Sequence, residues 1–278
     1  MRTKTIPPRG KSRLDPVREY YNDHILEEDQ RLEENPFELP VTFRFIDKYV
    51  KPGDRVLDMA CGTGRYAREL LDRGCRIGLN DLSENNMALT LQRTGNHPLI
   101  LHSEVSNALH SEIWDAEPWD AILLLGPLYH MTDRNNRLAI LERARKTVRK
   151  GGYVFTAFMS RTAALLYGLK HNPEGIHSDW GAFQLWYSGT DDEFIEGTKW
   201  FVNAYFSFPE EVEPLVREAG LEPLHLAGIE GVFGENMHLF HRLGDDLQQA
   251  WMNFMIEHSE DIHMVQASKH LLSVSTSR

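Results

Sequence analysis

Apolar positions along the 278-residue chain follow two periods. Between residues 55 and 159, short apolar runs at 55–60, 75–80, 98–102, 121–125 and 153–159 alternate with amphipathic stretches at 65–73, from Ser83 onward, and at 134–149. Strands separated by helices of this length predict βαβ units and a parallel sheet. Within 134–149, Leu138, Leu141, Ala144 and Val148 recur on one side, and Lys150-Gly151-Gly152 predicts the stop. The alternation resumes with a helix over 209–219, a strand over 222–227, a helix over 245–257 and a closing strand over 270–275. Ahead of the first strand, Asp15-Pro16 predicts the start of a helix over 17–28 that carries Tyr20, Tyr21 and His24. After Pro40, the spacing of Val41, Phe45, Ile46 and Tyr49 gives a second helix with one apolar face, ended by Pro52-Gly53.

Residues 161–206 interrupt this order with a run rich in aromatics, including Trp180, Trp186 and Tyr205, and are expected to form an insertion over a site. Residues 1–14, with Pro7, Pro8 and Gly10, are expected to form a flexible leader, and 15–278 a single domain with a helical cap over 15–50. Composition narrows the function. Lys and Arg total 30 against 41 Asp and Glu, a formal net charge of −11, which argues against nucleic acid and against an anionic membrane surface as partners. No run approaches the roughly 18 uncharged apolar residues of a spanning helix, and the basic N-terminus lacks the apolar core of an export signal. Cys61 and Cys75 cannot build a disulfide framework in a chain of this size, so a reducing cytoplasm is the expected location. The sequence gives no expectation for oligomeric state.

The segment VLDMACGTGRYA, residues 56–67, is the most informative. A strand is expected to end near Asp58, and Gly62 and Gly64 let the backbone turn and approach a ligand before a helix opens near Arg65. On its own this says nucleotide ligand only. Gly62-x-Gly64-x-x-Ala67 also fits a dinucleotide fingerprint, with Asp81 about 20 residues on as a ribose-binding acid.

The ordered set of motifs resembles the class I S-adenosylmethionine (SAM) dependent methyltransferases of the small-molecule type. The matching pieces are VLDMACGTG at 56–64, NDLS at 80–83, LLLGPLYHM at 123–131, FTAFMSR at 155–161 and FPEEVEPLVREAGLEP at 208–223. The resemblance implies a Rossmann-like α/β fold: a seven-stranded, mostly parallel sheet with an antiparallel last strand and helices on both faces. It implies that Asp58 and the backbone of Ala60, Cys61, Gly62 and Gly64 hold the methionine part of SAM. Asp81 is implied at the ribose hydroxyls, Leu82 on adenine, Glu104 and Val105 near the adenine amine, and Leu125-Gly126 under the methionine end. Leu79 and Glu104 depart from the family's usual glycine and aspartate.

SAM carries a sulfonium, an ammonium and a carboxylate, so its site needs an acid, backbone N–H groups and aromatic faces. Asp58, the glycine loop and Tyr20, Tyr21, Tyr66 and Tyr129 supply these types. Methyl transfer depends chiefly on positioning. Where the acceptor is protonated, His130 beside Tyr129 is the expected general base. Tyr20 and Tyr21 are expected to close the site, and Arg161, Trp180, Trp186 and Tyr205 to meet a small-molecule substrate. No histidine or cysteine group has zinc-ligand spacing, so no metal is expected. Three other chemistries fit parts of the pattern: transfer or cyclisation of SAM's aminocarboxypropyl group with release of methylthioadenosine, nicotinamide-dependent oxidoreduction, and SAM binding without catalysis. The second lacks an evident Tyr-x-x-x-Lys pair.

Overall fold

The computed structural model describes residues 15–115, 118–171, 173–178 and 204–278. The expected leader at 1–14, Trp180 and Trp186 lie outside the described residues. Five strands, β1 (Arg55–Met59), β2 (Arg76–Asp81), β3 (Ile100–Val105), β4 (Trp119–Leu124) and β5 (Val148–Ser160), pair in parallel. A two-residue strand, β6 (Phe206–Ser207), pairs with β5 off the main path. Two more, β7 (Glu222–Gly228) and β8 (His270–Thr276), complete the order β3-β2-β1-β4-β5-β8-β7, with β8 antiparallel to both neighbours. The fold is therefore the α/β arrangement that the pattern implied, with one short extra strand.

Both sheet faces are covered, which explains why the central strands are apolar at consecutive positions. Val56, Ile77, Leu79, Leu123 and Phe155 face one core, packed under α3 (Glu38–Tyr49) and α4 (Arg65–Asp72). Their neighbours Leu57, Met59, Ile122, Leu124 and Val154 face the other, under α6 (Arg134–Thr147) and α9 (Pro209–Glu218). Strand order reverses between β1 and β4, and that reversal opens a crevice at the carboxyl ends of the strands. Among the described residues, no helix is long and apolar enough to cross a membrane.

Local structure departs from expectation in five places. The helix expected over 17–28 is two helices, α1 (Asp15–Asp23) and α2 (Ile25–Glu34), broken at His24. The His24 ring stacks on Tyr20 and its Nδ1 lies 2.9 Å from the Tyr20 carbonyl, so the side chain competes for the helix's own acceptor. Helix α3 starts ahead of Pro40 rather than after it, because a first-turn residue needs no intrahelical N–H. Helix α6 stops at Thr147, and Gly151 (φ +73°) bends β5 instead of ending a helix. Strand β3 runs to Val105, beyond the expected 98–102, since an edge strand can carry polar Ser103 and Glu104. The expected insertion begins as α7 (Arg161–His171) and α8 (Gly175–Ser178). Between β7 and β8 lie α10 (Met237–Phe240), α11 (Asp245–His258) and α12 (Ile262–Ala267), of which only α11 was expected.

The turn after β7 is tightly packed. A Cβ at Gly228 would overlap the Met264 carbonyl and the Ser268 hydroxyl. Gly228→Ala should destabilise the protein by about 1–3 kcal/mol, read as a lower urea midpoint with unchanged slope; an unchanged midpoint would contradict the packing described here.

Candidate active site

Strand β1 delivers Asp58 to the crevice on the face shared with Val56, because side chains alternate along a strand. Past the strand the chain turns sharply: Ala60 takes a left-handed φ of +68°, and the N–H groups of Ala60 and Cys61 both donate to the Asn80 carbonyl at the end of β2. Gly64, at φ +79°, opens α4, and a Cβ there would lie 2.8 Å from the Thr90 side chain of α5 (Glu84–Arg93). Glycine is required at 64 on both counts. A Cβ on Gly62 would instead meet nothing within 4 Å, since the loop faces open space there.

That space is a cavity of about 160 Å³. Asp58, Ala60, Cys61 and Gly62 line it from the loop after β1, Asp81 and Leu82 from the end of β2, and Leu125 and Gly126 from the end of β4. Tyr66, Tyr21, Tyr129 and His130 supply aromatic walls. Asp58 is buried, and its Oδ2 has no hydrogen-bond partner. Burial, followed by the negative charge of Asp81, pushes its carboxyl up to about 7. Asp81 is pushed up to about 6 by burial, against the opposing effect of N–H donors from Ser83 (2.8 Å) and Gly62 (2.7 Å) and the Asn86 amide. Burial likewise pushes the Tyr66 phenol up, and its hydroxyl lies 3.3 Å from Thr42 Oγ1.

The helices before β1 are tied across this cavity. The Tyr21 hydroxyl and His130 Nε2 are 2.9 Å apart. Ser83 Oγ donates to Asn22 at 2.6 Å, and Thr63 Oγ1 donates to Asp29 at 2.9 Å. Asp29 also receives both terminal nitrogens of Arg93, at 2.7 and 2.6 Å.

Other residues expected at the site stand elsewhere. Gly64 shapes the loop without lining the cavity. Glu104 turns away to accept from Ser111 Oγ (2.7 Å) and the N–H groups of Glu112 and Ile113, and Val105 is exposed. Ser106 and Asn107 occupy the cavity wall instead, a shift that follows from β3 ending later than the sequence suggested. Tyr20 is spent on His24. Arg161 pairs with Glu211 at 3.3 Å and stacks on Phe208. The Tyr205 hydroxyl donates to the same Glu211, and the Tyr205 ring lies under Arg137, so Arg161 and Tyr205 belong to a part-buried cluster and neither lines the cavity. Residues that sequence reasoning missed include Asn80, Thr42 and Glu38 on the wall, and His270 at the start of β8. Only contacts between distant parts of the chain bring these to the cavity.

A buried carboxylate oxygen with no partner, beside a glycine loop and aromatic rings, calls for a bound cation. The ammonium and sulfonium of SAM are cations of that kind. No group of three or more His, Cys, Asp or Glu side chains suited to a metal occurs among the described residues.

Comparison with known proteins agrees with this geometry. Residues 56–152 match a family model described as a methyltransferase domain. The chain is 26% identical over 212 residues to the uncharacterized protein MJ1252 of Methanocaldococcus jannaschii, covering 76% of this chain and 78% of that protein. It is 28% identical over 208 residues to the ubiquinone biosynthesis O-methyltransferase of Thiobacillus denitrificans, covering 68% and 74%. Its fold superposes with a TM-score of 0.59, at 14% identity, on the N-methyltransferase NodS of Bradyrhizobium japonicum bound to S-adenosylhomocysteine, over 95% of this chain and 99% of that one.

The state of Asp58 sets a pH dependence. Only the carboxylate can pair with an ammonium, and in the free protein it forms near pH 7. Affinity for S-adenosylhomocysteine, measured by calorimetry from pH 5.5 to 8.5, should plateau above about 7 and fall roughly tenfold per pH unit below it. Asp58→Asn should bind at least about tenfold more weakly with no such dependence. The same substitution removes a buried charge, so the ligand-free variant should melt above wild type at pH 8. A wild-type affinity that is flat with pH would contradict the role given to Asp58. The loop, the unpartnered acid and the comparisons agree: residues 56–152 match the model of a methyltransferase domain, and the chain as a whole has the Rossmann-like fold of the solved methyltransferases it superposes on.

Proposed function

We propose that the protein transfers the methyl group of SAM to a nitrogen or oxygen of a small-molecule acceptor, working in a reducing cytoplasm where Cys61 and Cys75 remain thiols. The observation that carries this reading is Asp58: a buried carboxylate with an unpartnered oxygen, at the end of the first strand and beside a glycine whose missing Cβ leaves open space. When bound, SAM supplies an electrophilic methyl carbon on a positively charged sulfur. The chain's own residues do the rest. Asp58 and the loop from Ala60 to Gly62 hold the methionine end, Asp81 and Leu82 the nucleoside, and Asn107 the edge of the base.

The end of β4 faces the reacting centre. Leu125 and Gly126 form its floor, and Gly126 keeps that floor low, since a Cβ there would lie 3.3 Å from the Cβ of Ala60. Tyr129 and His130 follow on the same loop, and Tyr21 closes over His130. This enclosure excludes water and orients the acceptor, and positioning of this kind supplies most of the rate in a direct displacement. The nucleic-acid alternative has no support in a chain of formal charge −11. Proteins of the same fold include a magnesium protoporphyrin IX methyltransferase, and the relative with 28% identity is named for O-methylation.

Incubation of the purified protein with SAM, followed by mass spectrometry, tests the reading. S-adenosylhomocysteine should form only when a small-molecule fraction of cell extract is added. Methylthioadenosine released from SAM alone would overturn methyl transfer in favour of chemistry on the aminocarboxypropyl group.

A further inference from the structure

The cavity has a second histidine whose setting differs from that of His130. His270 is the first residue of β8 and lies opposite Met159, at the edge of the sheet. Because β8 runs antiparallel, its beginning meets the carboxyl ends of the parallel strands. The order β2-β1-β4-β5-β8 then puts Asp81 on one side of Asp58 and His270 on the other, with β8 two strand spacings, about 10 Å, beyond β4. His270 therefore stands at the end of the cavity away from the nucleoside residues.

Its ring is held from behind. Nδ1 contacts Glu230 Oε1, and Glu230 is fully buried. The other carboxylate oxygen accepts the backbone N–H of His270 (3.0 Å) and of Lys269 (3.2 Å), and Asn35 Nδ2 donates to Oε1 at 3.2 Å. Burial raises the Glu230 carboxyl, but the charge and hydrogen bonds of His270 outweigh it and leave Glu230 at about 2. When the imidazole is neutral, the contact of Nδ1 with this carboxylate puts the ring proton on Nδ1 and leaves Nε2 as the acceptor nitrogen of a residue that lines the cavity. By contrast, His130 already shares its Nε2 with the Tyr21 hydroxyl.

We propose that His270, oriented by Glu230, is the general base of the reaction, and that the acceptor is a hydroxyl compound. This rests on the reading of the protein as a SAM-dependent methyltransferase. A neutral amine carries its lone pair ready to react, whereas a neutral hydroxyl must lose a proton, so a carboxylate-backed imidazole serves the second and is idle for the first. In the step, the acceptor O–H proton passes to His270 Nε2 as the O–CH₃ bond forms. The CH₃–S bond breaks with its electron pair kept by sulfur, and the positive charge moves from sulfonium to imidazolium, where Glu230 balances it before the proton leaves to water. The other ionisable groups lining the cavity are Asp58, Asp81, Cys61, Arg65, Tyr66, Tyr129, the Tyr21–His130 pair and Arg31 with Glu38 at 3.7 Å; Lys269, beside His270, is paired with Glu235 at 3.2 Å.

The test uses the full chain labelled with ¹⁵N-histidine and saturated with S-adenosylhomocysteine, with phenol as the hydroxyl probe. Nuclear magnetic resonance should show His270 as the Nδ1–H tautomer near neutral pH, with its Nε2 resonance moved by phenol. Glu230→Gln, which keeps the shape but removes the charge that balances the imidazolium, should lower kcat for phenol at least about tenfold with the KM for SAM unchanged. In methylation of phenol or catechol by SAM, His270→Gln should lower kcat by about 10²–10⁴-fold with the KM for SAM unchanged, and the acid limb of the pH profile should vanish. An Nε2–H tautomer, an Nε2 resonance that ignores phenol, or an acid limb that persists in His270→Gln and disappears in His130→Gln would overturn the proposal. Calorimetry separates the two readings: a wild type that fails to bind S-adenosylhomocysteine overturns the methyltransferase function, whereas binding with a silent His270 overturns only the base.

Discussion

A carboxylate placed in a protein interior without a partner is costly, and the structure is arranged around one. Asp58 sits near the end of an interior strand, flanked by β2 and β4, and is buried. The apolar layers on both faces make that position dry, and the same dryness that raises Asp58 gives its interaction with a cation its strength. Removing either layer would let water satisfy the free oxygen and would weaken the selectivity for a positively charged ligand.

The sheet order divides the labour along the crevice. The ends of β1, β2 and β3 contribute Asp58, Asp81 and Ser106 to the cavity wall, while the end of β4, β5 and the start of β8 contribute Leu125, Ala157 and His270. The antiparallel last strand matters here, since it brings its first residue, rather than its last, to the ligand edge. A parallel strand in that place would present Thr276 instead of His270.

Much of the fold was legible because it depends on local pattern. Leu57, Ile122 and Val154 lie in runs apolar enough to be strands buried on both sides, and the loop from Asp58 to Gly64 is a short-range device whose glycines declare it. What escaped was set by long-range contact. His24 breaks a helix through a bond to Tyr20 that periodicity does not register. Arg161 and Tyr205 carry chemistry suited to a substrate, yet both are drawn to Glu211. Glu104 and Asn107 differ by three positions, and which of them meets the cavity depends on where an edge strand stops. The Glu230–His270 pair spans 40 residues and two strands, and neither residue sits in a motif.

The ties between the N-terminal helices and the glycine loop also bear on how the protein responds to salt. Asp29 joins Thr63 of the loop to Arg93 of α5, and Asn22 joins Ser83, so the first two helices form part of the wall that a nucleoside must pass. One of these ties is an ion pair at the surface, open to screening by salt. Ionic strength thus acts on how firmly α2 is held against α5, through a pair that does not itself line the cavity.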